Sequence, residues 1–464
     1  MLIYNMLRRI PPRPSLWLLF GPAFVWAATA QGSGELIWWP YLVARYGKAF
    51  LFLLLPAAAI QYFVNREISK YTATTGQGIW TGFWAVNRYY TSFLFLLCFV
   101  NFLWLGGYAS AGGSSLYEIF KFPGTVQSGS IFWSYVLIFI FSYGLIFSKV
   151  IYRFIEKIMV AVTIITLAGL IISTLLVVSF PTLIDFFEAL INPLNLGRGV
   201  DWSDFDYSQL ISGLVFAGMG GYLNLMYSYW MKDKGVGMAV YNPKILGLRH
   251  RTDQPAESEI KFADNHQNRH RYLQWLGYLR LDSFLAVAIN LVTIFLTSYL
   301  AFVLLWPQRQ YPSGWSITVA QSAFFGTTFG IAGKIFFLIV AAAFLIDTWL
   351  SIVDGISRQY ADFSFSASHY RHRQWWYFFW LFFLIIVSLI TIPLASPAIL
   401  LKTTGVISVF AFVGYIPLLW YLNYRHLPSR YPAFVRDSRL RELSLWFVFA
   451  TYLILASWYL VQVL

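Results

Sequence analysis

Apolar runs of about 18 or more residues, separated by charged or turn-rich breaks, recur eleven times along this 464-residue chain. Each is long enough to cross a bilayer as a helix. They lie near 15–44, 49–70, 89–112, 129–148, 154–178, 207–231, 280–305, 331–355, 375–394, 402–424 and 442–463, and are numbered here as helices 1 to 11. Because the connections are mostly short, the pattern predicts an all-α polytopic membrane protein built as a single membrane domain over residues 1–464.

Two of the runs are interrupted. Helix 1 contains Gln31-Gly32-Ser33-Gly34-Glu35 where a membrane helix should be driest. Gly weakens a helix interior by about 1 kcal/mol relative to Ala, and an acid at the bilayer centre costs roughly 3 kcal/mol. Helix 6 carries Gly218-Met219-Gly220-Gly221 in its middle. Helices 1 and 6 are five spans apart and oppositely oriented. Interrupted spans at corresponding positions of two five-helix halves point to an inverted repeat with a binding site at the midplane. The repeats would cover about 15–178 and 207–424, with an additional helix at about 442–463. The halves share no residue-level identity, so the repeat rests on topology and breaks. Glycines that merely allow close helix packing would leave Glu35 without a reason.

Composition agrees: 58% of the residues are hydrophobic and 11% charged, against about 25% charged in soluble proteins. The 20 Trp and 30 Tyr suit aromatic belts and interhelical packing. The net charge of +13 is a matter of distribution. With the N-terminus inside, all but seven of the 33 Lys and Arg fall in inner segments, the exceptions being Arg45, Lys48, Lys121, Arg198, Arg309, Lys334 and Lys402. The positive-inside rule then predicts a plasma (inner) membrane protein with a cytoplasmic N-terminus and an outer C-terminus. The charge serves topology and argues against a nucleic-acid partner. Arg8, Arg9 and Arg13, an apolar run and Ala28-Thr29-Ala30 imitate a cleaved signal, but the apolar segment continues past the supposed cut. Cys98, the single cysteine, excludes an internal disulfide.

The breaks supply the candidate chemistry. A carboxylate with freed backbone carbonyls is a hard oxygen ligand set for Mg2+, Ca2+ or Mn2+. Glu35 with the carbonyls of Ala30, Gln31 and Ala217, and Ser33, would hold a cation, while Gly32, Gly218, Gly220 and Gly221 leave room. Met219 would pull towards softer ions, or simply pack. Glu35 could instead be a coupling residue. Asp347, Ser351, Asp354 and Arg358 share one face of helix 8. On that face Asp347 is a coupling or vestibule candidate, and Asp354 with Arg358 an ion pair. All six histidines lie in inner loops, so no histidine relay crosses the membrane. His266 and His270, near Asp264 in the long basic loop between helices 6 and 7, are a further metal candidate. Helix 3 offers only Asn101 at mid-span, and Thr403 and Thr404 either reach the permeation path or satisfy backbone locally. The outer loop between helices 5 and 6 is acidic, with Asp185, Glu188, Asp201, Asp204 and Asp206 against Arg198. It either concentrates cations or is ordinary solvated loop.

Gly21-Pro22 opening helix 1, the break at Gly32-Ser33-Gly34-Glu35, and Gln61-Tyr62-Phe63 with Arg66-Glu67 before Thr75-Gly76 resemble the Nramp (natural resistance-associated macrophage protein) divalent-metal transporters. The coarse pattern extends over nearly the whole chain, although the loop between helices 6 and 7 is longer than that family implies. The resemblance implies a LeuT-type 5+5 inverted repeat with broken helices 1 and 6, here with 11 transmembrane helices. In that family the first break is Asp-Pro-Gly-Asn, with the Asp and Asn as metal ligands, and the second is Met-Pro-His. Counting from Gly21-Pro22 puts Gly32 at the Asp and Glu35 at the Asn. The second break falls on Met219-Gly220-Gly221, or in another register on Asn224. The aspartate and the histidine are therefore absent, and metal selectivity does not carry over.

The expected function is secondary active transport of a divalent cation, Mg2+ or the Mn2+/Fe2+ class, by alternating access, with no cofactor and no enzymatic activity. One alternative is an organic-solute carrier on the same fold, for which Trp38, Trp39 and Tyr222 would line space and Glu35 would meet an ammonium group. The other is a non-transporting relative. Fold alone does not separate these.

Overall fold

The computed structural model describes residues 7–15, 21–148, 151–248, 259–311, 313–370 and 372–463. Helix 1 runs as Gly21–Ala30, Gln31–Trp38 and Trp39–Tyr46, and helix 2 as Leu54–Thr75. Helices 3, 4 and 5 are Arg88–Phe120, Val126–Phe147 and Ile151–Val177. Helix 6 is split into Tyr207–Val215 and Met226–Lys234. Helices 7 to 11 are His266–Leu305, Phe329–Ser368, Arg373–Leu394, Pro397–Arg430 and Arg439–Val463. Among the described residues eight helices are long and apolar enough to cross a membrane, and helices 1, 2 and 6 complete the eleven expected spans.

The three that fall short do so for physical reasons. Helices 1 and 6 are interrupted. Helix 2 carries Gln61, Asn65, Arg66, Glu67 and Lys70, all buried, so protein rather than lipid solvates it. Arg66 pairs with Glu67 at 2.5 Å and with Asp437 at 3.2 Å, and Lys70 reaches Asp437 at 2.9 Å. This inner network ties helix 2 to the connection between helices 10 and 11.

Packing reproduces a two-fold relation between the halves. Helix 1 packs on helix 5 as helix 6 packs on helix 10, and helix 3 on helix 4 as helix 8 on helix 9. Helices 2 and 7, and helices 3 and 8, pair across the relation. Local sequence sets the ends: Asn87 accepts from the Tyr89 and Tyr90 amides at the start of helix 3, and Asp206 from those of Ser208 and Gln209 at the start of helix 6. Apolar residues such as Phe139, Ile140, Tyr143, Ile164 and Leu175 are exposed on helices 4 and 5, the surface a bilayer would cover.

The outer acids are not a free cation funnel. Asp204 pairs with Arg45 at 2.9 Å, Asp206 with Lys402 at 2.8 Å, and Asp185 with Lys48 at 3.4 Å. Asp201 caps the Ser203 amide, and Glu188 accepts from Asn192 and Asn195. These contacts join the ends of helices 1, 6 and 10 that lie beside this acidic loop.

Candidate functional site

The two interruptions differ in kind. Gln31–Trp38 winds as a π-helix, with right-handed helical backbone at both flanks. A π-helix keeps its carbonyls in i→i+5 hydrogen bonds, so the ligands helix 1 can offer are chiefly side chains. Helix 6 unwinds: after Val215 the chain leaves the helix, and Gly220 (φ 74°) and Gly221 (φ 50°) take the left-handed conformation that favours glycine. Close approach explains the glycines of helix 1. A Cβ on Gly32 would overlap Thr348 of helix 8, and one on Gly34 would overlap the Phe216 carbonyl of helix 6. The two breaks therefore meet at backbone distance, and helix 8 closes on Gly32 through the Thr348 side chain.

Glu35 is fully buried, at 0% exposure, and its carboxylate oxygens make no hydrogen bond of full geometry, the nearest side-chain donor being the Asn290 amide. The polar side chain facing it is Asn290 of helix 7. Asn290 donates through Nδ2 to the Ala217 carbonyl at 2.9 Å, so one residue touches both breaks. One turn outward, Thr293 accepts from Gln31 Nε2 at 2.7 Å. Gln31, Glu35, Thr166, Thr293, Thr297 and Phe344 line a cavity with room for about one water molecule.

The expected site residues divide into four groups. Gln31, Gly32, Glu35 and Ala217 come together around this point, and Met219, Gly220 and Gly221 are buried in the helix 6 break. The side chain of Ser33 lies outside the described residues. Asn224 is committed elsewhere: its Nδ2 donates to Gln61 Oε1 at 2.6 Å and its Oδ1 accepts from Trp26 Nε1 at 3.3 Å.

Asp347 is 1% exposed, and both its oxygens lack donors. It precedes Thr348, which faces Gly32, and lies one turn outward of Ser351, whose Oγ is 2.7 Å from Thr29 Oγ1. The second acid of that face is structural. Asp354 accepts from Arg358 Nε at 2.8 Å and from Tyr377 at 2.7 Å, and Arg358 also pairs with Asp233.

The remaining candidates resolve locally. Thr403 and Thr404 donate to the Ile399 and Leu400 carbonyls at 3.0 and 3.1 Å, and Asn101 donates to Ser408 at 3.2 Å. His266 and His270 are exposed on the first turns of helix 7, with His270 3.1 Å from Gln274. Among the described residues no group of three or more His, Cys, Asp or Glu could hold a metal, so the loop histidines do not form a metal centre with Asp264. Asn290 and Thr293 are the site residues that the sequence reading passed over. Their signal was two polar positions three apart inside the apolar run Ala286-Val287-Ala288-Ile289-Asn290-Leu291-Val292-Thr293.

No protein-family model and no curated protein matches this sequence. Among solved structures, the chain is similar to the Eremococcus coleocola manganese transporter in complex with an aromatic bis-isothiourea substituted compound. The TM-score is 0.67 at 12% identity, over 99% of this chain and 89% of that one. A mutant of the same transporter gives 0.62 at 12% identity, over 98% and 89%. MhsT in complex with L-phenylalanine gives 0.56 at 15% identity, over 95% and 98%. The chain is thus an all-α integral membrane protein with the LeuT-type inverted-repeat fold, and its resemblance to the Nramp transporters holds at the level of architecture.

Proposed function

We propose that this protein is a secondary active transporter that moves a divalent metal cation, of the Mg2+ or Mn2+/Fe2+ class, across the membrane by alternating access. One membrane domain of two repeats would carry the site between helices 1, 6 and 7, in the bilayer of the inner membrane. The observation that carries the reading is Glu35, a fully buried carboxylate with no counter-charge and no hydrogen bond of full geometry. A bare buried charge is costly, and an orphaned buried acceptor calls for an absent ion or proton. The Ala217 carbonyl, another of the expected ligands beside Met219, meets Asn290 next to it. The fold likeness to a manganese transporter supports the same class. Asp347, the second unpartnered carboxylate, is the coupling residue in this reading.

An organic-amine carrier is the second reading, favoured by the likeness to a transporter crystallised with L-phenylalanine. Space weighs against it, because the cavity beside Glu35 holds only about one water molecule. The test is flux into proteoliposomes with Mg2+, Mn2+, Ca2+, Fe2+ and a panel of amino acids, with Glu35→Gln beside wild type. Divalent uptake that Glu35→Gln abolishes is the expected result. Uptake indifferent to that change removes Glu35 from the site, amino-acid uptake alone selects the second reading, and no uptake of any kind selects a non-transporting relative.

A further inference from the structure

One face of helix 7 holds the segment that leads into helix 1. Asn268, Arg271, Trp275, Tyr278 and Asp282 follow one another at spacings of three, four, three and four, which puts them on a single stripe. The first three grip the chain ahead of helix 1. The Ile10 amide donates to Asn268 Oδ1 at 3.0 Å, Arg271 Nη1 to the Ile10 carbonyl at 2.7 Å, and Trp275 Nε1 to the Pro11 carbonyl at 3.0 Å. Asp282 grips helix 1 itself, because the amide of Ala23, in its first turn, is a backbone donor to the carboxylate. First-turn amides have no partner within their own helix and carry the positive end of its dipole, so a carboxylate suits them. The other donors are hydroxyls: Tyr227, from the second half of helix 6, donates to Oδ2, and Tyr278 donates to Oδ1 at 3.2 Å.

Asp282 is fully buried, yet all three of these donors are neutral. Lys234, whose charge acts on it, is paired with Glu156 of helix 5 at 2.6 Å. Arg358 of helix 8 is paired with Asp233 and Asp354. Tyr152 of helix 5 is a further titratable neighbour, and helix 2 directs Arg66 and Glu67 at Tyr272 instead. An ionised carboxylate accepts from all three donors. A protonated one has an O–H to place and accepts from fewer, and the bonds it keeps are weaker once the charge has gone. We infer that Asp282 is a proton-binding site that latches helix 1: ionised, it clasps the start of helix 1 and helix 6 to helix 7, and protonated, it lets them part. The inference goes beyond the transport reading and holds whatever solute is carried. Parting uncovers Ser351 of helix 8, whose Oγ lies 2.7 Å from Thr29 Oγ1 of helix 1.

The experiment uses the full chain in detergent, with its only cysteine removed by Cys98→Ser and Ser351→Cys as the reporter. The rate of alkylation by a charged maleimide is measured from about pH 8 to about pH 5, a span over which protein carboxyls titrate. At each pH it is divided by the rate of the same thiol in unfolded protein, which removes the titration of the thiol itself. With Asp282 in place, the normalised rate should rise about tenfold at the lower pH, the factor that one charge-assisted hydrogen bond supplies. Asp282→Asn, neutral at every pH, should be fast throughout. Tyr227→Phe removes a donor that favours the charged form, so the midpoint of the response should move to higher pH. A role in packing alone would raise the rate without moving a midpoint. No response in the parent protein, or a response that survives Asp282→Asn, overturns the inference. If Asp282→Asn does not fold, an unmoved midpoint in Tyr227→Phe overturns it. The assay reads no flux, so a failure of divalent uptake leaves the latch standing.

Discussion

Gly34→Ala tests whether the two breaks meet as the structure places them. A Cβ at Gly34 would fall on the carbonyl oxygen of Phe216, well inside the 3.0 Å below which real Cβ atoms are essentially never found. The obstacle is backbone, so no rotamer change relieves it. Helix 1 and the helix 6 break must separate by more than about 1 Å to regain van der Waals contact. Overpacking a dense interior costs about 1–3 kcal/mol where side chains can yield, so this substitution belongs at or above the top of that range. The displacement also moves Glu35, the next residue, away from the Ala217 carbonyl. Divalent uptake should fall by tenfold or more, since about 1.4 kcal/mol of lost site energy suffices for that factor, and the melting temperature in detergent should drop. Gly277→Ala is the control, because nothing lies within 4 Å of a Cβ there; it should leave uptake intact and melting unchanged or slightly raised. Wild-type uptake together with wild-type melting in Gly34→Ala would refute the contact, and with it the idea that these glycines exist for close approach.

Arg358→Met leaves Asp233 and Asp354 buried without their shared counter-charge, which should cost about 3–5 kcal/mol; adding Asp233→Asn and Asp354→Asn should restore part of the lost melting temperature. Asn224→Ala strands Gln61 Oε1 and Trp26 Nε1 and should destabilise by about 1–3 kcal/mol, read as a lower melting temperature. For Asp437, burial works against the charge, but Lys70 and Arg66 hold the carboxyl down at about 2, below its ordinary 3.8. A folded-state value below the unfolded one gives stability that is full above about pH 4 and lost as pH falls towards 2. Asp437→Asn should therefore lower stability at neutral pH by about 2 kcal/mol and flatten the acid limb of a melting-temperature profile. Glu35→Gln should melt higher than wild type without divalent ions, because a bare buried charge is removed, and should lose the ligand-dependent rise in melting that a site binding only the folded state produces. A variant that still responds to Mg2+ would count against Glu35 as a ligand.

The spans were legible because lipid contact leaves long apolar runs, and where helices leave the lipid the sequence signal stops before the helix does. Helix 7 was expected from residue 280 and begins at His266, while helix 8 was expected to end near 355 and continues to Ser368. The added turns are polar, and their helicity is set by caps such as Asn265 on the Asn268 amide rather than by hydropathy. The i,i+4 pair of Asp354 and Arg358 was readable from its spacing. Its third member, Asp233, is 125 residues away in the chain, and no local pattern announces it. Asn224 read as a site residue from an alternative register of the second break, but Gln61 and Trp26, from helices 2 and 1, claim both of its polar groups. Asn290 and Thr293 were visible as polar residues in an apolar run, yet membrane helices also use such residues as packing glue. Only the contacts themselves give the roles, with Asn290 donating its amide to the Ala217 carbonyl and Thr293 accepting from the Gln31 amide.

The asymmetry of the site follows from the difference between the two glycine patterns. In helix 6, three glycines in four residues remove the steric bias that keeps L-residues right-handed, and two of them adopt positive φ. The chain there opens and exposes backbone such as the Ala217 carbonyl to helix 7. In helix 1, each glycine is followed by a residue with a side chain, so the backbone stays right-handed and widens to a π-turn instead of unwinding. Its carbonyls remain bonded, and the oxygen it offers must come from side chains. Loss of the aspartate expected at Gly32 is therefore compatible with a metal site. At that position the Thr348 side chain already fills the space. A carboxylate three residues later, one side chain of a continuous wide helix, reaches the point where Asn290 joins the two breaks. In the proposed transport reading, an inverted repeat would thus yield a site with side-chain ligands from one half and backbone from the other, held in register by an amide from helix 7.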